Sequence, residues 1–169
     1  MKLSLYKSFL KVDKYLEVKE EQEKYINRFG KIEIKSPLDV YRFFLSVYNI
    51  EELPTEHVWV LCVDTKLQVV QLVEVSEGTV NSSIAHIRDI FKPVILSNCT
   101  GFFLIHNHPS GDCTPSGADR DLYDGVKKAA KIMSFRFFDS IIISPFEVYT
   151  MDKELRFKRE EISALWGVI

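Results

Sequence analysis

The sequence lacks an excess of charge of either sign. Its 22 lysine and arginine residues are matched by 24 aspartate and glutamate residues, which leaves a formal net charge of -2. A polyanion such as DNA binds most strongly where many basic side chains are available to neutralise its phosphates. Direct DNA binding is therefore not expected from charge, although this argument leaves a local basic patch open.

The sequence also lacks a cysteine framework, a secretion signal and a long apolar run. Cys62, Cys99 and Cys113 are an odd number without the spacing of a disulfide-stabilised domain, and Cys62 lies in an apolar run that is typical of a buried hydrophobe. Lysines interrupt residues 1–17 too often for a signal peptide, and no apolar run approaches the length of a membrane span. We therefore expect a soluble protein in the reducing cytoplasm, with no membrane partner.

The length and composition are those of one globular domain. The chain has 169 residues, and 46% of them are hydrophobic, which is enough for a sizeable core. Residues 1–35 are rich in lysine and glutamate and have no sustained period, so we expect an N-terminal arm or a peripheral element there. The folded domain is predicted to span residues 36–169.

The first half of this domain predicts one helix and one hairpin. Ser36 is suited to an N-cap position, with Pro37 after it and Asp39 three residues later, and the helix is expected to end near Asn49. Two apolar, β-branched runs follow, and a turn at residues 64–66 separates them. Such a pattern is typical of a β-hairpin.

The second half predicts two helices and three strands. A helix is expected to be capped near residues 81–83, and Pro93 must either kink it or mark its first turn. Residues 101–106, GFFLIH, are wholly apolar until the histidine, which predicts a strand at the centre of a sheet. A helix from Ser116 and strands at DSIIIS and EVYTM complete an α/β domain with a mixed sheet packed between helices. The stripe expected to be buried on that helix is Leu122, Val126, Ala129, Ala130 and Met133.

Three residues around the end of the central strand are suited to bind a metal ion. Residues two apart on a strand project from the same face, so His106 and His108 can point two imidazoles at one spot. Asp119 lies in the first turn of the next helix, and the connecting loop is long enough to bring it back as a third ligand. Two imidazoles and one carboxylate suit zinc and leave a fourth position for water, whose pKa zinc can lower from about 15.7 to about 7. The pattern therefore predicts a catalytic type of zinc site.

Each of these residues also has an ordinary structural interpretation. A histidine on an apolar strand is more often a hydrogen-bonded core residue, and Ser116 with Asp119 forms a normal helix capping box. Two histidines on one buried face would, however, both need partners at the place where an acidic residue approaches. Metal binding accounts for all three residues together.

The same segment resembles a known family signature. The string HNHPSG at residues 106–111, followed by Pro115, Ser116 and Asp119, resembles the signature of the JAMM (MPN+) metalloproteases. Its HNHPSG form is similar to the RadC-like branch of that family. The resemblance extends over about residues 53–149.

The resemblance implies a JAMM/MPN fold for residues 36–169, similar in its layers to the cytidine deaminase-like fold. It implies a zinc metallopeptidase or isopeptidase with one zinc ion per chain and a peptide or protein substrate. His106, His108 and Asp119 would be its metal ligands. Ser116 would position the water or stabilise the oxyanion.

The family also requires a glutamate upstream of the histidines, which takes a proton from the water and passes it to the leaving amine. Glu56 is our choice, because it opens the first strand of the sheet in the phrase PTEH, as the JAMM glutamate does. Glu74 and Glu77, near the end of the second strand, are the competitors. All three would otherwise be interpreted as solvated residues at strand ends.

The sequence departs from the RadC-like pattern in two places. Residues 86–89 read His-Ile-Arg-Asp where His-Pro-Arg-Glu is usual, and Asp139 is followed by Ser140 where a histidine is usual. Arg88 could bind substrate, although an exposed helical arginine is more often only solvated. Cys113, between the histidines and Asp119, could approach the metal, but a thiolate there would close the site to water.

Three other functions stay open at this point. A JAMM fold can serve as a binding scaffold, and the traditional naming of RadC-like proteins suggests an accessory role in DNA metabolism. Residues 1–35 are too short for the helix-hairpin-helix region of longer family members, which argues against direct DNA contact. A zinc-dependent deaminase is disfavoured because the His-x-Glu and Pro-Cys-x-x-Cys elements are absent.

Overall fold

Within residues 32–49, 53–78 and 85–166, which the computed structural model describes, six strands form one mixed sheet that lies between four helices. No helix in this part of the chain is long and apolar enough to cross a membrane. The elements in chain order are α1 (Pro37–Val47), β1 (Glu56–Val63), β2 (Val69–Gly78), α2 (Ile87–Leu96), β3 (Gly101–Asn107), α3 (Gly117–Ile132), β4 (Arg136–Ile143), β5 (Glu147–Thr150), β6 (Leu155–Lys158) and α4 (Arg159–Trp166).

The strand order across the sheet is β2-β1-β3-β4-β5-β6. Only β3 and β4 are parallel, and the other neighbours are antiparallel. The hairpin of β1 and β2 and the central position of β3 are therefore both confirmed, and every residue of β3 is buried. The predicted α/β architecture with a mixed sheet between helices is also confirmed.

The two faces of the sheet pack against different helices. Alternate residues of each strand point to opposite faces, so each strand contributes to two cores. We name these faces after their main helices. The core of the α1 face includes Phe44, Trp59, Leu61, Phe103, Ile105, Ile141 and Ile162. The core of the α3 face includes Val58, Val60, Ile90, Phe91, Leu104, Val126 and Ala130.

Helix α1 begins as predicted. Ser36 is its N-cap, and its side chain accepts a hydrogen bond from Asp39 N, while Asp39 Oδ2 accepts one from Ser36 N at 2.9 Å. Pro37 occupies the first turn, where its missing N–H leaves no bond unmade. The helix ends at Val47, two residues before the predicted end.

Helix α2 begins later than predicted. Its first residue is Ile87 and its N-cap is His86, whereas the predicted cap at residues 81–83 lies outside the described residues. Pro93 lies inside the helix. A cap contributes only about 1 kcal/mol, which is less than the burial of an apolar side chain such as Phe91 contributes. Packing against the sheet therefore determines where this helix begins.

Two features near the end of the domain differ from the sequence prediction. Met133 was expected to be buried, but α3 ends at Ile132 and Met133 is 41% exposed at its C-cap. Strand β6 and helix α4 were not predicted at all. Strand β6 has four residues, most of them exposed at the sheet edge, and its alternation of apolar and charged residues is too short to predict a strand.

The predicted arm, residues 1–35, lies mostly outside the described residues. Its last residues pack on the hairpin: Glu33 forms an isolated bridge with Gln68, and Ile34 is buried in the core of the α1 face. The boundary at residue 35 stays a prediction.

Candidate metal centre

The register between β1 and β3 brings Glu56 to the histidines. Val58 lies opposite His106 in this antiparallel pair, and Glu56, two residues earlier on β1, projects from the same face. Glu56 Oε2 is 3.8 Å from His106 Nε2. Glu56, His106 and His108 each offer one donor atom, and these three atoms lie within 4.8 Å of one another. This Glu/His/His group could hold a metal ion.

Helix α3 brings Asp119 to the same place. Asp119 Oδ2 accepts hydrogen bonds from Ser116 N at 2.7 Å and Ser116 Oγ at 2.6 Å, so the expected capping box is present. Asp119 Oδ1 lies 3.1 Å from His106 Nδ1, and Oδ2 lies 3.6 Å from His108 Nε2. Asp119 therefore contacts both imidazoles, although its oxygens are not among the three clustered donor atoms.

The hydrogen bonds of the two imidazoles leave lone pairs available. His108 Nδ1 is 2.8 Å from the carbonyl oxygen of Asp112, so Nδ1 carries the proton and Nε2 presents a lone pair. His106 Nε2 is buried and has no hydrogen-bond partner among the described residues. A buried polar atom without a partner is costly, and a metal ion would satisfy it. The donor set of imidazoles and carboxylate fits zinc.

The charges at the centre support one another. Burial raises the pKa of Asp119, but contacts with the His106 and His108 imidazoles and hydrogen bonds with Ser116 outweigh burial and hold this pKa well below its usual value. Burial lowers the pKa of His106, but the neighbouring carboxylates of Asp119 and Glu56 outweigh that effect and raise it. The contact with the His106 imidazole, at 3.8 Å, lowers the pKa of Glu56. Both carboxyl groups are therefore ionised at neutral pH, and they present negative charge to a cation.

The competing glutamates lie on strand β2 beside the α1 face. Glu74 pairs with Trp59 in the β1–β2 register, and its Oε1 is 3.2 Å from His57 Nδ1. Glu77 lies opposite His57 in the same register. The structure therefore brings Glu56, and not Glu74, into contact with His106.

Cys113 does not join the donor group. Its side chain is fully buried, and its thiol donates to the carbonyl oxygen of Glu147 at 3.0 Å. Burial raises the pKa of this thiol to about 11, so a thiolate is disfavoured. Arg88 has a side chain that is 76% exposed and lies 3.7 Å from Asp89 Oδ2, which suits a solvated surface residue.

The residues at the second departure from the RadC-like pattern are buried. Asp139 is 4% exposed, and its Oδ1 accepts hydrogen bonds from Ser140 N and Asp152 N, each at 2.8 Å. Burial raises the pKa of Asp139 to about 6. Asp139 thus holds β4 to the turn that follows β5, away from the donor group.

Sequence reasoning missed two groups that shape the centre. The carbonyl of Asp112 orients His108, and no side-chain pattern predicts a backbone acceptor. The side chain of Asn107 contacts the backbone of β1 on both sides of Glu56. Its position between two candidate ligands was the one available signal, but its partners lie 50 residues away.

Known proteins resemble this chain over most of the described domain. The family model for the RadC-like JAB domain matches residues 34–156. A UPF0758 protein of Chlorobium phaeovibrioides is 36% identical over 110 residues, which cover 65% of this chain and 48% of that protein. A UPF0758 protein of Thermotoga maritima is 37% identical over 111 residues, which cover 66% and 49%. The chain thus spans about half the length of these relatives, and it belongs to the RadC-like JAB domain family.

Proposed function

We propose that this protein is a zinc-dependent peptidase or isopeptidase in which His106, His108 and Asp119 hold one ion per chain. The observation that carries the proposal is the cluster of Glu56, His106 and His108 donor atoms within 4.8 Å, with His106 Nε2 buried and unpartnered. Membership of the RadC-like JAB family supports the same hydrolytic chemistry.

Each side chain has a role that follows from its contacts. A bound zinc ion would supply a water molecule of lowered pKa and polarise the substrate carbonyl. Glu56 is the proposed general acid and base, because its carboxylate is ionised, partly exposed and next to His106. It would accept a proton from water and return it to the leaving amine of the peptide.

Ser116 is proposed to assist by orienting Asp119 and by stabilising the oxyanion. Its hydroxyl donates to Asp119 Oδ2 at 2.6 Å and accepts from Asp119 N at 3.2 Å. These bonds hold the carboxylate against the imidazoles, which supports the orienting role directly. The oxyanion role requires the hydroxyl to exchange its partner for the substrate.

A second ligand set is favoured by one distance. Asp119 Oδ1 is 3.1 Å from His106 Nδ1, which is the arrangement of a carboxylate that orients a metal-binding histidine from behind. Glu56 would then be the third ligand beside His106 and His108, in agreement with the clustered donor atoms. The two sets share both histidines and exchange the roles of the carboxylates.

Two substitutions separate these assignments. We expect Glu56→Gln to keep one zinc per chain, measured by elemental analysis, and to lower cleavage of a peptide and isopeptide library by about 10²- to 10⁴-fold. We expect Asp119→Asn to lose the zinc. The opposite pattern, with zinc lost from Glu56→Gln and kept by Asp119→Asn, would assign Glu56 as the ligand.

Glu74→Gln is the matched control. Glu74 is a largely buried glutamate that contacts a histidine beside the α1 face, so we expect the Glu74→Gln variant to keep both zinc and activity. The proposal fails if protein purified without chelators holds no zinc, or if His106→Ala leaves the zinc content unchanged. A zinc-loaded protein that cleaves nothing in the library would indicate a binding scaffold instead.

A further inference from the structure

Asn107, the residue between the two histidines, is fully buried at the end of β3. Its Oδ1 accepts a hydrogen bond from the backbone N–H of His57 at 2.6 Å. Its Nδ2 donates to the backbone carbonyl of Thr55 at 2.9 Å. One carboxamide thus binds the backbone on both sides of Glu56.

These two bonds continue the sheet where its backbone pairing stops. The paired residues of β1 and β3 run from Val63 and Gly101 to Val58 and His106. Beyond that point, the side chain of Asn107 takes the place of a backbone partner on the β3 side. The start of β1 is therefore held to β3 by a side chain that only the folded structure brings to it.

The geometry of the clamp acts directly on Glu56. The carbonyl of Thr55 belongs to the peptide unit before Glu56, and the N–H of His57 belongs to the peptide unit after it. Holding both units restricts the φ and ψ angles of Glu56, which set the direction of its Cα–Cβ bond. A carboxamide can do this because it offers a donor and an acceptor together.

Asn107 does not share the face of its neighbours. Side chains alternate along a strand, so Asn107 projects away from the side on which His106 and His108 point. Its contacts are with the β1 backbone, and its burial leaves no room for a substrate contact. It is therefore suited to position other groups.

We propose that Asn107 is a positioning residue that couples the histidine-bearing strand to Glu56 and sets the direction of the Glu56 carboxylate. The predicted effect on activity rests on the proposed hydrolase function. The backbone clamp itself is independent of any metal or substrate.

The first test observes the clamp without metal or hydrolysis, by NMR on the full chain. In Asn107→Ala we expect faster hydrogen exchange of the His57 amide, while the amide of Val60, inside both neighbouring ladders, keeps its protection. We also expect the three-bond coupling between the amide and α protons of Glu56 to move toward the averaged value of a mobile residue. Unchanged exchange at His57 and unchanged coupling at Glu56 would overturn the proposal.

The second test uses a double-mutant cycle on the zinc-loaded protein. We expect Asn107→Ala to keep its zinc and to lower kcat roughly 10- to 100-fold with a much smaller change in KM. In a Glu56→Gln background the same substitution should lower activity less than about twofold, because the group it positions is already gone. Equal losses in both backgrounds would show a general structural role and overturn the proposal.

Two further variants keep the test decisive. Asn107→Asp retains the size and the acceptor for the His57 N–H but cannot donate to Thr55, so if Asn107→Ala does not fold, Asn107→Asp tests the Thr55 bond through the Glu56 coupling and the double-mutant cycle. Asn98→Asp is the matched control, because Asn98 is exposed and follows α2 at the far end of β3. If the wild-type protein cleaves no substrate, the hydrolase function fails, and the NMR test alone decides the clamp.

Discussion

Both faces of the sheet carry a histidine in contact with a carboxylate near the start of β1. On the α3 face, His106 Nδ1 is 3.1 Å from Asp119 Oδ1. Beside the α1 face, His57 Nδ1 is 3.2 Å from Glu74 Oε1. The four residues are buried or nearly so, and each pair joins an imidazole to a carboxylate.

The two histidines differ in their second nitrogen. His57 Nε2 lies 2.8 Å from Thr55 Oγ1, and the ring stacks on Trp59 with centroids 5.3 Å apart. His106 Nε2 is buried without a hydrogen-bond partner in the described part of the chain and faces Glu56 at 3.8 Å. A histidine whose two ring nitrogens both have partners is typical of a structural residue. A ring nitrogen without a partner, beside a second carboxylate, is instead suited to bind a cation.

The capping boxes show the same contrast. Ser36 with Asp39 begins α1, and Ser116 with Asp119 begins α3, and the bonds in the two boxes are nearly the same. Within the described residues, Asp39 Oδ2 accepts hydrogen bonds only from nearby backbone and hydroxyl groups. Asp119 also contacts both imidazoles, so one local motif serves a helix start on one face and a candidate metal site on the other.

The largest expected effect separates the two histidines. His106→Ala should reduce the zinc content from about one ion per chain to almost none, because it removes a donor shared by both ligand sets. His57→Ala should keep its zinc, since its ring nitrogens already have partners. Elemental analysis of both variants, purified in parallel, checks this prediction. Zinc loss from His57→Ala would show that the histidine beside the α1 face also supports the metal site.

The next effect concerns carboxyl groups whose pKa values shift in opposite directions. The pKa of Asp119 is lowered, whereas burial raises the pKa of Asp139, which lies on the α1 face of β4 with Ile141 and Ile143, from 3.8 to about 6. Folded Asp139 therefore holds its proton longer than unfolded Asp139, so its contribution to the free energy of unfolding falls by about 3 kcal/mol as the pH rises from about 4 to above 6.

Asp139→Asn removes this titration and keeps an acceptor for the two backbone N–H groups. The free energy of unfolding of wild type minus that of the variant, measured by urea denaturation at several pH values, should decrease across this window. A difference that stays constant with pH would contradict the shifted pKa of Asp139.

A smaller effect tests the closed network of the α1 face. Tyr48→Phe removes the acceptor of the Trp59 Nε1 hydrogen bond, which is 2.8 Å long and buried. An unsatisfied buried donor should lower the free energy of unfolding by about 1 to 3 kcal/mol. Urea denaturation measures the loss, and the zinc content should stay the same; a fall in zinc content would mean that this network also supports the metal site.

The smallest expected effect compares the capping serines. Ser36→Ala and Ser116→Ala should each lower the free energy of unfolding by about 1 kcal/mol, because each removes an N-cap. Only Ser116→Ala should also reduce zinc affinity or hydrolysis, since only Asp119 contacts the imidazoles. Equal stability losses with no difference in zinc affinity or hydrolysis would mean that Ser116 acts only as a helix cap.

Much of the fold was predictable because its signals are local. Strand β3 is apolar up to His106, the serine, proline and aspartate at α1 form an ordinary helix start, and the turn after β1 predicts the hairpin. The start of α2 was not predictable, since packing of its apolar side outweighed the cap signal. Strand β6 and helix α4 lacked a pattern strong enough to detect.

The sequence by itself determined which residues could form a candidate site: two histidines two apart at a strand end, and a capping aspartate one loop later. Because such spacing is local, the periodicity of strands and helices predicts directly which way each side chain points. Glu56 was chosen over Glu74 and Glu77 only through a family resemblance. The contact of Glu56 with His106 depends on the β1–β3 register.

The tertiary structure alone decided the rest, because a sheet register pairs residues about 50 positions apart that no local pattern relates. It separated His57 from His106 by giving the first a partner for each ring nitrogen. It placed the carboxamide of Asn107 on both sides of Glu56. The two histidines differ in their hydrogen-bond partners because their side chains lie on opposite faces of the sheet.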